Sequence, residues 1–184
     1  PASEERYTQA DRQRIVTGVE GRHYRVALSE SFGHDDFYTD ATIKDWYKSY
    51  VEFLLQRVNS FSGVAYRNDP TILAWELANE PRSSDRSGLI VSRWVDDLSA
   101  HLKQVDGNHL VGTGEEGFDV SGGGYSISAY GNQTWLFNGS AGVSFLANSS
   151  NQHIDFAGIH LYPQSWGLTN GAGDTWIRDH IRLA

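Results

Sequence analysis

The 184-residue chain contains no cysteine and no methionine. Without cysteine it has neither disulfides nor thiolate metal sites. An opening Pro1 is not a natural translation start, so any signal peptide is expected outside these residues. Cations are scarce: 15 Lys and Arg face 23 Asp and Glu, a formal net charge of −8. Nucleic acid and anionic membrane surfaces both call for basic patches, so neither is expected as a partner. No apolar run approaches the roughly 20 residues of a membrane span. A phosphate cradle is missing too, because Gly122-Gly123-Gly124 precedes no helix start; nucleotide binding is not expected.

What is present points to a folded enzyme. Hydrophobic residues make up 39% of the chain, with 6 Trp, 9 Tyr and 8 Phe. That composition belongs to a globular chain, and the length suffices for one domain with a real core. Glycosylation triplets occur at Asn132-Gln133-Thr134, Asn138-Gly139-Ser140 and Asn148-Ser149-Ser150, relevant only in a secreting eukaryote. The most informative stretch is Ile72-Leu73-Ala74-Trp75-Glu76-Leu77-Ala78-Asn79-Glu80-Pro81. A mostly apolar run of this kind suits a strand buried on both faces. Its abrupt Asn-Glu-Pro ending puts a carboxylate where a strand leaves the core, the place where α/β barrels carry catalytic groups.

From residue 40 onward strands and helices alternate. Residues 40–58 read as a helix with Ile43, Tyr47, Val51, Leu54 and Val58 on one stripe, widened by Trp46, Tyr50 and Phe53. Thr39 or Asp40 can cap its start. A strand at 71–79, a helix at 85–105 carrying Val91, Trp94, Val95, Leu98, Leu102 and Val105, and a strand at 109–113 follow, with Gly107 as a stop signal for the second helix. A Gly/Ser/Asn-rich loop of functional or mobile length spans 121–140. A short helix at 143–148, a strand at 154–162 and a helix from about residue 174 complete the series. This order predicts a parallel α/β sheet with right-handed crossovers. Residues 1–38 are weakly patterned, with a helix at 4–15 and a strand at 24–28. The chain shows neither internal repeats nor an interdomain linker.

Glu80 is the leading candidate for chemistry. A general acid needs a partly desolvated carboxyl, and Asn79 beside it can donate to a substrate hydroxyl. The alternative is a loop-entry carboxylate paired with Arg82. Strand alternation puts Glu76 on the face of Ala74, Ala78 and Glu80, deeper in the barrel, where a buried carboxylate needs a partner. His160 and Tyr162 share a face at the mouth of their own strand. There His160 is within reach of substrate or Glu80, and the Tyr162 hydroxyl of a neighbouring carboxylate. Of Glu115 and Glu116 at most one faces the mouth, and Glu116 is the better choice, in a supporting role. Trp166 is suited to stacking on a sugar or to packing beneath its loop. His34-Asp35-Asp36 has no further ligand at a metal-binding spacing and reads as a helix entry.

These motifs resemble glycoside hydrolase family five, and more narrowly its endo-β-1,4-mannanases. The resemblance rests on Trp75-Glu76-Leu77-Ala78-Asn79-Glu80-Pro81-Arg82, flanked in order by His34-Asp35-Asp36-Phe37-Tyr38-Thr39-Asp40, Phe61-Ser62-Gly63-Val64-Ala65-Tyr66, Asp69-Pro70-Thr71-Ile72, Gly114-Glu115-Glu116-Gly117-Phe118 and His160-Leu161-Tyr162-Pro163. It covers residues 33–181 and implies part of a (β/α)8 barrel, about strands three to six. It implies hydrolysis of β-1,4-mannan with retention, through two carboxyls about 5–5.5 Å apart. Glu80 would be the acid/base, Asn79 would bind the sugar 2-hydroxyl, and His160 and Tyr162 would line subsites, with Tyr162 near the nucleophile. Neither metal nor organic cofactor is implied. The full-length enzyme would be secreted and monomeric.

Two departures from the family stand out. Residues 1–32 do not match the expected start, and no early strand carries the family's active-site Arg. The family's nucleophilic Glu ends a seventh strand, whereas these residues run into the helix after the sixth. The 184 residues are therefore expected to be one fragment of a single catalytic domain, inactive alone and poorly soluble. The competing readings are a clan A β-glucanase, a non-catalytic carbohydrate-binding remnant, and a generic α/β scaffold.

Overall fold

The helix after residue 40 begins where its first orphan donor finds an acceptor. In the computed structural model, which describes residues 33–184, the Asp40 side chain accepts from the Ile43 N–H at 2.9 Å. Helix α1 (Asp36–Thr39) leads into α2 (Ala41–Gln56). The helix and strand expected at 4–15 and 24–28 lie outside the described residues. Helix α2 ends two residues early, because Arg57 is extended and Val58 forms an antiparallel bridge with Ala65. Its core contact is also narrower than expected. Leu55 is buried, while Tyr50 and Phe53 are exposed, so they do not widen the packed stripe.

Strand β1 (Ala74–Glu76) pairs in parallel with β2 (Leu110–Gly112), with Trp75 opposite Val111. The regular ladder is shorter than the predicted strands, yet hydrogen bonding continues beyond it. Leu77, Ala78 and Glu80 donate to the carbonyls of Gly112, Thr113 and Gly114. Burial on both faces is not observed: Leu77 is buried, but Leu73 and Glu76 are exposed. Glu76 is thus not the paired, buried carboxylate that alternation predicts. Residues 154–162 form no ladder. They are joined to the segment of β2 by Asp155 N–H to Val111 at 2.8 Å and His160 N–H to Glu115 at 3.1 Å. The Phe156 ring occupies the space above Gly112, where a side chain would otherwise stand.

Helix α3 (Leu89–Val105) starts later than predicted, after a turn closed by Asp85, whose carboxylate accepts from Ser87 and Ile90 N–H groups. Gly88 enters it with a φ of 73°, a left-handed conformation natural to glycine. Of the predicted stripe, Val91, Trp94, Val95, Leu98 and Leu102 are buried and Val105 is partly so. The stripe packs with Tyr38, Leu55, Leu77 and Val111 into the first core.

The loop at 121–140 is far from structureless. Two 3-10 turns, Ile127–Tyr130 and Thr134–Phe137, bury Tyr130, Leu136 and Phe137. Helix α4 (Phe145–Ser149) is capped by Ser144, and α5 (Asn170–Leu183) by Thr169, whose hydroxyl accepts from Ala172 at 3.2 Å. Helix α5 therefore begins four residues before the predicted start. Gly171 and Gly173 do not delay it, and Gly173 gives Pro163 room to approach. Trp176 of α5 packs with Phe118, Tyr130, Phe137 and Trp166 into a second, aromatic core. Residues 34–184 form one unit containing both cores.

Candidate active site

The site forms where residues following β1 meet the extended segment at 154–162. Glu80 leaves the strand with a φ of 55°, the only non-glycine residue with positive φ among those described. Its N–H donates to Gly114 at 2.7 Å, which anchors this uncommon conformation. Simple strand alternation therefore does not continue to Glu80. Its Oε1 accepts from the Tyr162 hydroxyl at 2.7 Å and lies 3.1 Å from His160 Nδ1. The hydrogen bond from Tyr162 and the contact with His160 outweigh desolvation and hold the carboxyl below its ordinary value. The same bond to a carboxylate raises the Tyr162 hydroxyl. A free Glu80 is consequently ionised near neutral pH.

Asn79 is exposed beside Glu80 and makes no hydrogen bond among the described residues. Glu116 is buried and pairs with Arg82, whose Nε donates at 3.0 Å and whose Nη2 also donates to the same oxygen. The loop-entry alternative for Glu80 thus assigns Arg82 the wrong carboxylate. Arg82 also lies 4.8 Å above the Phe118 ring, and its N–H donates to the Tyr38 hydroxyl at 3.1 Å. Burial pushes Glu116 up, while Arg82 opposes that rise. The Glu116 Oε2 has no hydrogen-bond partner among the described residues.

Trp166 takes the packed alternative. It is 8% exposed and sits against Phe118, Trp135 and Trp176, with its ring 5.9 Å from that of Tyr162. A sugar-stacking face is not laid open; the ring supports Tyr162 from behind. Asp35 accepts from the Ser84 N–H at 3.0 Å, as befits a structural helix entry. Among the described residues, no group of three or more His, Asp or Glu is arranged to hold a metal ion.

Sequence reasoning underrated Glu115. It is fully buried, accepting from Thr113 Oγ1 at 2.8 Å and from Asn148 Nδ2 at 3.3 Å. Burial raises it to about 7 despite those bonds, and nearby Asp119 and Glu116 add to the effect. Its backbone carbonyl receives the His160 N–H, so this residue also connects to the Glu80 cluster. The Asn148 partnership was invisible locally, because 33 residues separate the two.

A family profile described as GH family 5 beta-mannosidase-like matches residues 25–179. The chain belongs to glycoside hydrolase family 5. This family 5 chain is 43% identical over 152 residues to mannan endo-1,4-beta-mannosidase 4 of Solanum lycopersicum, covering 81% of the chain and 36% of that protein. Its identity to mannan endo-1,4-beta-mannosidase 7 of Arabidopsis thaliana is 44%, covering 79% and 34%. The chain thus spans about a third of the length of these relatives. Among solved structures, the endo-beta-1,4-mannanase from Thermotoga petrophila superposes with a TM-score of 0.79 at 45% identity, covering 83% of this chain and 34% of that one. The endo-1,4-beta-mannanase from Rhizomucor miehei gives 0.71 at 38% identity, covering 81% and 43%. The mixed α/β structure therefore corresponds to part of a family 5 mannanase.

Proposed function

We infer that this chain supplies the acid/base half of a retaining endo-β-1,4-mannanase. The observation that carries the reading is Glu80, held by Tyr162 and His160 beside the free amide of Asn79. The mannanase relatives support mannan as the substrate class. We assign the nucleophile to a carboxylate outside residues 1–184, because buried Glu116 is engaged by Arg82. These residues would then form one stretch of a single catalytic domain, about strands three to six of its barrel.

In that domain the nucleophile attacks the anomeric carbon as the glycosidic C–O bond breaks, and Glu80 protonates the departing oxygen. Water then attacks the same carbon, the ester C–O bond breaks, and Glu80 takes the water's proton. The two steps require opposite states of Glu80. A second carboxylate about 5–5.5 Å away raises its pKa by like-charge repulsion before attack. Esterification removes that charge. Tyr162 and His160 then favour ionised Glu80, the form that activates water. Asn79 is assigned to the sugar 2-hydroxyl, with His160 and Tyr162 holding the carboxylate. Glu116 and Trp166 act indirectly, through Arg82 and Tyr162. The chemistry uses no cofactor. A polysaccharide is too large to cross a membrane, which supports a secreted enzyme; we read the full-length form as a monomer.

The test is Glu80→Gln in the full-length enzyme. Hydrolysis of mannan should fall by about 10²–10⁴-fold, the usual contribution of a positioned acid/base. A substrate whose leaving group needs no proton should keep much of its glycosylation rate. Unchanged reducing-end release from mannan would remove Glu80 from this role.

A further inference from the structure

Three glycosylation triplets occur in the sequence, but the fold treats them differently. An N-glycan needs an Asn followed two residues later by Ser or Thr, and in the folded protein the glycosylated amide must lie in solvent. Asn148 fails the second requirement. It is fully buried in α4, and its Nδ2 lies 3.3 Å from both carboxylate oxygens of Glu115. A glycan on that nitrogen would have to displace Glu115 from the interior.

Asn138 has the opposite surroundings. It is exposed, and its Oδ1 accepts from the Ser140 N–H at 3.0 Å, forming an Asx turn that leaves Nδ2 uncommitted. The intervening Gly139 has a φ of 75° and passes so close to Arg86 that a Cβ would stand 2.0 Å from its carbonyl oxygen. That packing holds the turn on the surface. Asn132, at the other end of the 3-10 turn Thr134–Phe137, is exposed and unengaged among the described residues. An apolar cleft of about 200 Å³ beside Asn138 is lined by Ile127, Tyr130 and Phe137. It offers the first sugar a surface on which to lie.

We propose that Asn132 and Asn138 are N-glycan acceptors in the secreted protein, and that Asn148 is a triplet the fold keeps closed. In the transfer, the Asn amide nitrogen attacks C1 of a lipid-linked oligosaccharide. A C1–N bond forms, the C1–O bond to the lipid diphosphate breaks, and the amide proton passes to a base of the transferase. The inference rests on the secretion proposed above, from a eukaryotic cell, and not on the chemistry at Glu80.

The experiment expresses the full-length protein behind a yeast secretion leader. Glycopeptide mass spectrometry then reads occupancy in both the secreted and cell-retained membrane pools. Asn132 and Asn138 should carry N-acetylglucosamine-based glycans, and the peptide containing Asn148 should be unmodified in the secreted pool. Ser140→Ala should remove one glycan mass, whereas Asn148→Gln should remove none. An unmodified Asn132 or Asn138, or a glycan on Asn148 in the secreted protein, overturns the assignment. Mannan hydrolysis measured on the same samples reports separately on the Glu80 reading.

Discussion

At the scale of single residues, Glu80 combines an unusual backbone with an ordinary means of holding a carboxylate. Left-handed backbone costs a non-glycine residue roughly 1–2 kcal/mol, here accompanied by the Glu80 N–H bond to Gly114. The acidic group itself was legible because Asn-Glu-Pro ends an apolar run; its partners lie some 80 residues away and were not dictated by local pattern. Tyr162→Phe removes the hydrogen bond that contributes most to lowering Glu80, so its titration midpoint should rise toward the ordinary carboxylate value. Carboxyl ¹³C NMR reads this directly, and an unchanged midpoint would contradict the proposed support. Glu115 behaves oppositely. Its folded value of about 7 exceeds the reference 4.5, so folding takes up a proton between them. Its contribution to stability is fully present below about 4.5 and is lost as pH rises through about 7. Glu115→Gln should flatten this part of the pH dependence in urea unfolding. An identical pH slope in both proteins would assign the titration elsewhere.

At the scale of elements, helices were more legible than strands. In α3 the repeated spacing of Val91, Trp94, Val95, Leu98 and Leu102 identified a face that the first core then buried. No comparable repeat reveals that the Phe156 ring fills the space over Gly112. Residues 154–162, expected as a strand, lie along the β2 segment through two backbone hydrogen bonds but complete no regular ladder. Gly114 makes the same point about close approach. Its φ is 77°, and a Cβ there would lie 1.9 Å from the Ala78 carbonyl oxygen. Gly114→Ala should cost at least the roughly 1–2 kcal/mol of left-handed backbone strain, with the collision adding more. Urea unfolding measures the loss, and faster exchange of the Glu80 N–H should accompany it. A stability change within about 0.5 kcal/mol, typical of a neutral surface substitution, would show that this approach relaxes without consequence.

At the scale of the whole molecule, the apolar surface has consequences for the isolated polypeptide. Phe61 is 99% exposed, Leu73 78% and Ile181 76%, and Tyr50 and Leu110 also face outward. Polypeptide 1–184 should self-associate, as exposed apolar patches do, and sedimentation velocity would reveal it. It should also release no reducing ends from mannan under conditions where the full-length enzyme is active. A monodisperse monomer would count against the first expectation, and turnover lost on Glu80→Gln against the second. The sequence by itself determined the α/β alternation, the family and the position of Glu80, because periodic burial and short ordered motifs are written locally. Tertiary structure decided that Arg82 belongs to Glu116, that Trp166 packs behind Tyr162, and that Asn148 is sealed by Glu115. Those outcomes depend on which distant groups share a low-dielectric space, and spacing along the chain does not encode that directly. Only folding set Tyr162 and His160 on one oxygen of Glu80, turning a carboxylate at a strand end into a defined candidate for acid/base chemistry.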